Sequence, residues 1–397
     1  MRIVVLDYSG HIPQADLARS LAKLGHNVRH IYCSDYVSGR GAVDRESSDP
    51  EDLEFLNISI KKDFNRYNPI ERLKHEIAVA NVFWSKIQEF NPDHTIFSNV
   101  PLFAMSRLAK KMKSNNRPYL FWWQDVYSIA IGNAFKKFGI LAWPIKKYLI
   151  SLEKKILKES HSVVAISPNF EPIFRSWKQD LKKFSMYPNW TPINLFPNKQ
   201  PSPANKNKKL AVYAGTLGLK HRPEILIQLA DDPEFNRIRG VVVVVSEGYG
   251  REFLERAENK RQNIELYDFL PITELAQLFA DASVLIAVLD PAASSFSVPS
   301  KIMSYLSAGK PIVASIDPNN ASAKILKEIG AGIVISPEAT ALEFSEAVTK
   351  IVSNPQIAIS MSESGIKYAE ENFDSNVAAQ FFMKQINSYR LQNQVGC

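Results

Sequence analysis

Short apolar runs of strand length alternate with amphipathic stretches at helical spacing through nearly the whole chain. Parallel strands need a crossover between them, and a helix supplies it, so this alternation calls for parallel α/β sheets. In the first half, strands are predicted at Ile3–Leu6, Val28–Tyr32, His94–Phe97, Tyr119–Trp122 and Ser162–Ile166. A helix over Gln14–Leu24 is stopped by Gly25. Residues 38–68 are polar and aperiodic, and read as a mostly surface excursion with some strand. From Tyr187 to Lys209 the alternation fails, and the stretch is dense in Pro, Asn and Lys, as in a linker. The second half then restarts it, with strands at Leu210–Ala214, Val241–Val245, Ile264–Tyr267, Val284–Val288, Ile312–Ala314 and Gly332–Ile335. After Ala339 the pattern is almost wholly helical.

At 397 residues the chain is too long for one ordinary core and fits two domains. The expected architecture is α/β: two Rossmann-like domains with parallel sheets facing across a cleft, and a helical C-terminal tail. The boundaries read as 1–190, a linker over 191–208, and 209–374. Hydrophobic content of 45% with 22% charged residues argues against large-scale disorder. The two cysteines, Cys33 and Cys397, lie at opposite ends and make neither a disulfide framework nor a metal knuckle. The apolar run at the amino terminus is too short for a secretory core and Asp7 ends it. No apolar stretch approaches the roughly 20 residues of a membrane span. The expectation is a soluble, cytoplasmic protein, at most peripheral on a membrane.

Three loops of the second half could carry chemistry. Tyr213–Pro223 follows a strand and opens a helix, with Gly215, Thr216 and Gly218 allowing close backbone approach and Lys220 and Arg222 adding charge. A strand-to-helix turn with solvated bases explains it equally well. Its spacing matches neither G-x-G-x-x-G nor a Walker loop, which argues against a dinucleotide oxidoreductase and a P-loop ATPase. Ser297 to Pro311 reads as a helix capped by Ser297, opened by Pro299 and ended by Gly309. Lys301 in its first turn opposes the helix dipole, which favours a phosphate partner for Ser300 and Lys301. The third loop, Ser246–Gly250, has two glycines suited to a flat or phosphorylated group or to a plain turn. In the first half, Phe121-Trp-Trp-Gln124-Asp125 ends a strand with a carboxylate that a buried strand end does not need. The seven histidines are scattered without metal-ligand spacing, and no G-x-S-x-G elbow occurs.

On these residues the sequence resembles the group 1 (family four) retaining glycosyltransferases of GT-B fold, closest to the branch acting on bacterial surface polysaccharides and lipid-linked acceptors. Gly25-His26-Asn27-Val28 is similar to the family's G-H-x-V, with Gly10 in the preceding loop. Val164–Ser167 and Pro188-Asn189-Trp190 resemble the close of the first domain, and Tyr213–Gly218 the opening of the donor domain. Pro299-Ser300-Lys301 through Ala308-Gly309-Lys310-Pro311-Ile312-Val313-Ala314 is the most specific match. The resemblance implies that the last two loops hold the donor diphosphate, with Lys220, Ser300, Lys301 and loop amides stabilising it as it departs. It further implies that Glu247, Gly248, Phe269 and Leu270 line the base and ribose. Gln124-Asp125 fall where many members have His-Asp beside the transferred sugar. The family's glutamate pair falls near Phe296 and at Ser304, neither acidic, so either ribose recognition differs or Glu247 or Asp290 substitutes. In this fold the chain's end returns to the first domain, and a helix over about 375–392 with Val377, Phe381, Phe382 and Ile386 on one face suits that.

The implied reaction moves a sugar from a nucleoside-diphosphate sugar to a hydroxyl of a saccharide or lipid-linked saccharide, with retention, no cofactor and no required metal. Two rivals are a nucleotide-sugar epimerase on the same fold and a catalytically silent partner subunit. The net charge of +7 permits anionic partners. Lys136, Lys137, Lys146 and Lys147, interleaved with Phe138 and Trp143, suit a surface dipping into an anionic bilayer on the inner face of the cell membrane. An amphipathic helix packed on its own sheet is the alternative. No nucleic-acid module surrounds these lysines.

Overall fold

The computed structural model describes residues 1–35, 43–60, 68–134, 142–197, 208–218, 221–258, 261–290 and 299–394. The chain divides into two compact units, Met1–Pro188 with Ser375–Cys397, and Asn189–Asp374.

The first unit runs β1 (Arg2–Asp7), α1 (Ile12–Lys23), β2 (Asn27–Cys33), β3 (Leu53–Ile58), α2 (Pro69–Phe90), β4 (His94–Ser98) and α3 (Leu102–Ser114). It continues through β5 (Tyr119–Trp123), α4 (Tyr127–Ala134), α5 (Ala142–Glu159), β6 (Ser162–Ala165), α6 (Phe170–Ser176) and β7 (Phe184–Met186). The sheet is parallel throughout, in the order β3-β2-β1-β4-β5-β6-β7. Ile3 to Leu6 are wholly buried, as strands covered by helices on both faces must be. β3 lies in the stretch read as a mostly surface excursion with some strand, and is that strand. It is an edge strand whose Glu54 and Asn57 are exposed, so its sequence lacks the continuous apolar run of its neighbours.

The second unit runs β8 (Lys209–Ala214), α7 (Glu224–Asp231), α8 (Pro233–Arg237), β9 (Gly240–Val245), α9 (Tyr249–Glu258), β10 (Ile264–Tyr267), α10 (Ile272–Asp281) and β11 (Ala282–Val288). Then follow α11 (Lys301–Ala308), β12 (Ile312–Ser315), α12 (Ala321–Ile329), β13 (Gly332–Ile335), α13 (Ala341–Val352) and α14 (Pro355–Asn372). Its sheet is also parallel, in the order β10-β9-β8-β11-β12-β13. The described start of the stretch read as linker is built into this unit. Trp190 is buried, Ser307 donates to the Thr191 carbonyl at 2.6 Å, and Phe196 packs on Phe279.

The last helix, α15 (Ser375–Gln394), packs in the first unit. Its buried face is Ala378, Ala379, Phe382, Met383 and Ile386, with Phe382 against Trp122. Val377, read as part of that face, is exposed, because the stripe that fits the sheet starts one residue later. Both sheets reverse strand order at one point, between β1 and β4 in the first unit and between β8 and β11 in the second. Open α/β sheets take ligands beyond the carboxyl ends of the strands at that reversal.

Candidate functional site

In the second unit, the loop after β8 starts at Gly215, whose φ of +124° only glycine adopts without strain. A Cβ there would stand 3.4 Å from Lys301 Cε and 3.5 Å from its Nζ, so the loop and the lysine meet. The Lys301 ammonium is buried 3.4 Å from the centroid of the Tyr213 ring, whose negative face attracts it. Tyr305 holds α11 beside this loop. Its hydroxyl accepts from the Ala214 N–H at 3.0 Å and donates to the Ile286 carbonyl at 3.0 Å, tying the helix across β8 and β11. α11 starts at Lys301, two residues after Pro299, and Ser300 makes no side-chain cap. Gly309 ends the helix in the left-handed conformation. Ser297, read as the cap, and Lys220 lie outside the described residues.

The loop after β9 uses its glycines differently from the sequence reading. Gly250 donates to the Leu217 carbonyl at 2.8 Å, and a Cβ on it would lie 2.6 Å from the Leu217 side chain. Leu217 in turn donates to the Glu247 carbonyl. The glycine therefore serves contact between the first turn of α9 and the loop after β8. Gly248 has a φ of +102° and Glu247 is half-buried beside it. The Gly218 amide donates to the His221 ring at 3.0 Å, so it is already engaged. Thr216 and Ser300 are exposed, and Phe269, Leu270 and Asp290 are half-buried. Ser304, at the family's second glutamate position, sits 3.1 Å from the Thr191 hydroxyl. No acid occurs on α11.

In the first unit, Gly10 at φ +80° closes the loop after β1, where a Cβ would press on Val43 and Tyr32. Beside it stands a residue that sequence reasoning passed over. His11 Nδ1 lies 2.9 and 3.0 Å from the two carboxylate oxygens of buried Asp7, which also accepts the His11 backbone N–H. The Asn99 amide, at the end of β4, is 3.3 Å from the same ring nitrogen. Burial alone would lower the His11 imidazole. The charge and hydrogen bond of Asp7, and the charge of Asp125, outweigh it and raise the group. Asp125 is half-buried at the end of β5, next to buried Gln124. That loop is held by Glu153, which accepts from Trp123 Nε1 at 2.9 Å and from the Ser128 N–H at 2.8 Å. Burial pushes the Glu153 carboxyl up to about 7.

Cys33, Asp35 and His75 also bring possible ligand atoms within 4.8 Å of one another. Asp35 and His75 are engaged with the protein itself. His75 Nε2 is 2.9 Å from Asp35 and Nδ1 is 2.9 Å from the Tyr8 hydroxyl, while Ser59 and the Ile60 N–H donate to Asp35. The set steadies Tyr8 in the loop after β1.

Of the basic stretch, Lys136 and Lys137 lie outside the described residues. On α5, Trp143 is 66% exposed with Lys147 Nζ 5.1 Å from its ring, and Tyr148 is 57% exposed. The stem of Lys146 lies along Gly132 of α4. Leu149, Glu153, Ile156 and Leu157 turn inward, so one face of this helix does pack on the unit. Among the described residues no helix is long and apolar enough to cross a membrane.

Residues 196–371 match the family model described as glycosyl transferases group 1. No curated protein matches the sequence. Among solved structures, the sucrose-phosphate synthase from Thermosynechococcus elongatus superposes with a TM-score of 0.72 at 14% identity, covering 100% of both chains. WaaG, a glycosyltransferase involved in lipopolysaccharide biosynthesis, gives 0.64 at 15% identity over 96% of this chain and 99% of its own. HepE from Anabaena, solved in complex with UDP-glucose, gives 0.65 at 15% identity over 98% and 100%. At such identities the likeness establishes the fold, which is GT-B. The family match covers the second unit almost from end to end, and together with the fold it indicates a glycosyltransferase.

Proposed function

We propose that the protein moves a sugar from a nucleoside-diphosphate sugar to a hydroxyl of a saccharide or lipid-linked saccharide, in building a surface polysaccharide or glycoconjugate. The observation that carries this reading is the Lys301 ammonium set beside Gly215, at the strand-order reversal of the second unit. A cation there, at the carboxyl ends of the strands, suits a diphosphate and the charge that develops as it leaves. HepE, of the same fold, was solved with UDP-glucose. Retention of configuration and independence of metal follow from the family resemblance. On this reading the first unit, with Asp125, Gln124 and Gly10, serves the acceptor and the transferred sugar.

A thermal-shift and calorimetric screen of the full chain against UDP, GDP, ADP, dTDP and CMP tests the donor half, followed by turnover of the matching nucleotide sugars with simple glycosides. One of these nucleotides should bind, and its sugar should be transferred. Absence of binding to all of them overturns the reading in favour of a silent partner. Turnover of the sugar nucleotide without any acceptor would support an epimerase instead.

A peripheral hold on anionic membrane belongs to the same proposal. Trp143 and Tyr148 stay exposed beside Lys147, and Lys154, Lys155, Lys158, Lys178 and Lys183 line one groove of the same unit. Each lysine close to an anionic surface is worth about 1 kcal/mol. Binding to phosphatidylserine liposomes should be present at low salt, fall as salt rises, and weaken in a variant with Trp143→Ala and Lys147→Gln. Wild-type protein that ignores such liposomes at low salt leaves α5 as a packed helix only.

A further inference from the structure

We propose that Cys33, Asp35 and His75 bind a zinc ion that secures the end of β2 to α2. The inference is independent of the sugar-transfer reading and adds a structural site within the first unit. Cys33 closes β2, Asp35 lies in the turn after it, and His75 stands in the second turn of α2. His75 is 40 residues from Asp35 in the chain, so no ligand spacing announced the set. The fold brings one ligand atom of each within 4.8 Å of the others. Cys33 is wholly buried, and the side chains of Asp35 and His75 are 0% and 4% exposed. Thiolate, imidazole and carboxylate are the donors that zinc takes, whereas calcium and magnesium take oxygen alone.

The imidazole and the carboxylate already have the outer partners that orient metal ligands. A ligating imidazole donates its second N–H to a neighbouring oxygen, and the Tyr8 hydroxyl lies 2.9 Å from His75 Nδ1. The Asp35 carboxylate is held from behind by the Ser59 hydroxyl and, at 2.8 Å, by the Ile60 N–H. His75 Nε2 and Asp35 Oδ2 stand 2.9 Å apart. Around a tetrahedral zinc with bonds of ~2.0–2.1 Å, two such atoms stand about 3.3 Å apart, so the pair opens by a few tenths of an ångström. Three protein ligands leave a fourth position, which the other Asp35 oxygen can fill.

Binding changes where two protons sit. In the ion-free protein the carboxylate only accepts, so neutral His75 carries its proton on Nε2 and its Nδ1 accepts from Tyr8. With zinc on Nε2, the ring proton moves to Nδ1 and donates to the Tyr8 oxygen. The Cys33 thiol gives its proton to solvent, and a sulfur lone pair forms the bond to the metal. One proton is released and one tautomer replaces the other. Tyr8 stands in the loop after β1, two residues before Gly10, so the ion steadies that loop as well.

The test uses the full chain, produced with and without zinc in the growth medium so that entry into a folded core does not limit loading. Protein from the zinc medium should carry one equivalent by mass spectrometry and melt at a higher temperature than the zinc-free preparation. Cobalt in place of zinc should give a thiolate-to-metal absorption band, lost in Cys33→Ser and kept in Cys397→Ser. Tyr8→Phe leaves the three ligands and removes the outer partner, so zinc affinity should fall by ~10–100-fold. Nitrogen NMR of the wild-type side chain needs no variant. It should show His75 protonated on Nε2 in the zinc-free protein and on Nδ1 in the loaded one. No bound equivalent, a band that survives Cys33→Ser, or a tautomer that zinc leaves unchanged overturns the proposal and leaves the three residues as a hydrogen-bonded group.

Discussion

The two units share a parallel sheet and a strand order that reverses once, yet the loops at the two reversals hold opposite chemistries. In the first unit the loop after β1 joins an imidazole to buried Asp7, with Asp125 close by. In the second the loop after β8 joins Gly215 to a lysine resting on an aromatic face. The fold thus supplies a position twice, and a few loop residues decide what each position can do. One position sets an imidazole against a carboxylate, and the other sets an ammonium on an aromatic ring. The cores differ in the same sense. Buried histidines His30, His75 and His94 belong to the first unit, whereas the core of the second is a cluster of Val, Leu, Ile and Phe around Tyr213.

If this division of labour holds, turnover and donor affinity should separate. Asp125→Asn keeps size and removes charge in the first unit while leaving Lys301 and Gly215 untouched. Turnover should fall by ~10²–10⁴-fold, as for other groups acting in the transition state, with nucleoside-diphosphate affinity unchanged by calorimetry. Near-normal turnover would remove Asp125 from the mechanism, and an equal loss of affinity would blur the two units into one function.

The contrast in buried histidines predicts a contrast in acid stability. Burial lowers His30 to about 4, and burial with the charge of His94 lowers His161 to about 3, from an ordinary 6.5. Their folded values lie below the unfolded one, so the unfolded chain alone takes up protons as pH falls through the interval. Stability of the first unit should be intact above pH 6.5 and decline from there towards about 4, by up to about 3 kcal/mol from His30. Five of the six tryptophans lie in this unit, so denaturant unfolding followed by their fluorescence reads it directly. His30→Leu should flatten the decline. An unchanged slope would place the acid sensitivity elsewhere.

How much of this was legible in the sequence depends on what each residue's role requires. The strands β1, β8, β9 and β11 hold apolar runs buried almost throughout, and burial on both faces leaves no other reading. β3 was legible only as some strand within 38–68, without bounds, because an edge is half-solvated and tolerates Glu54 and Asn57. Lys301 was visible as a charge set against the helix dipole. His11 was not, because its partner Asp7 also reads as the residue that ends a strand, and Asp125 reaches it only through the sheet. Gly250 was noticed for the wrong reason: its missing side chain makes room for Leu217, a contact that spans separate segments of the chain.

The claim on which the rest depends is that the second unit grips a diphosphate through Lys301. Calorimetric titration of wild type and Lys301→Ala with the nucleoside diphosphate and with its parent nucleoside tests it. The variant should lose about 1.5–3 kcal/mol towards the diphosphate, the range for a hydrogen bond to a charged group, and far less towards the nucleoside. Equal losses for the two ligands would contradict the account, since a lysine that senses no phosphate is a structural residue on the Tyr213 ring and not the donor's anchor.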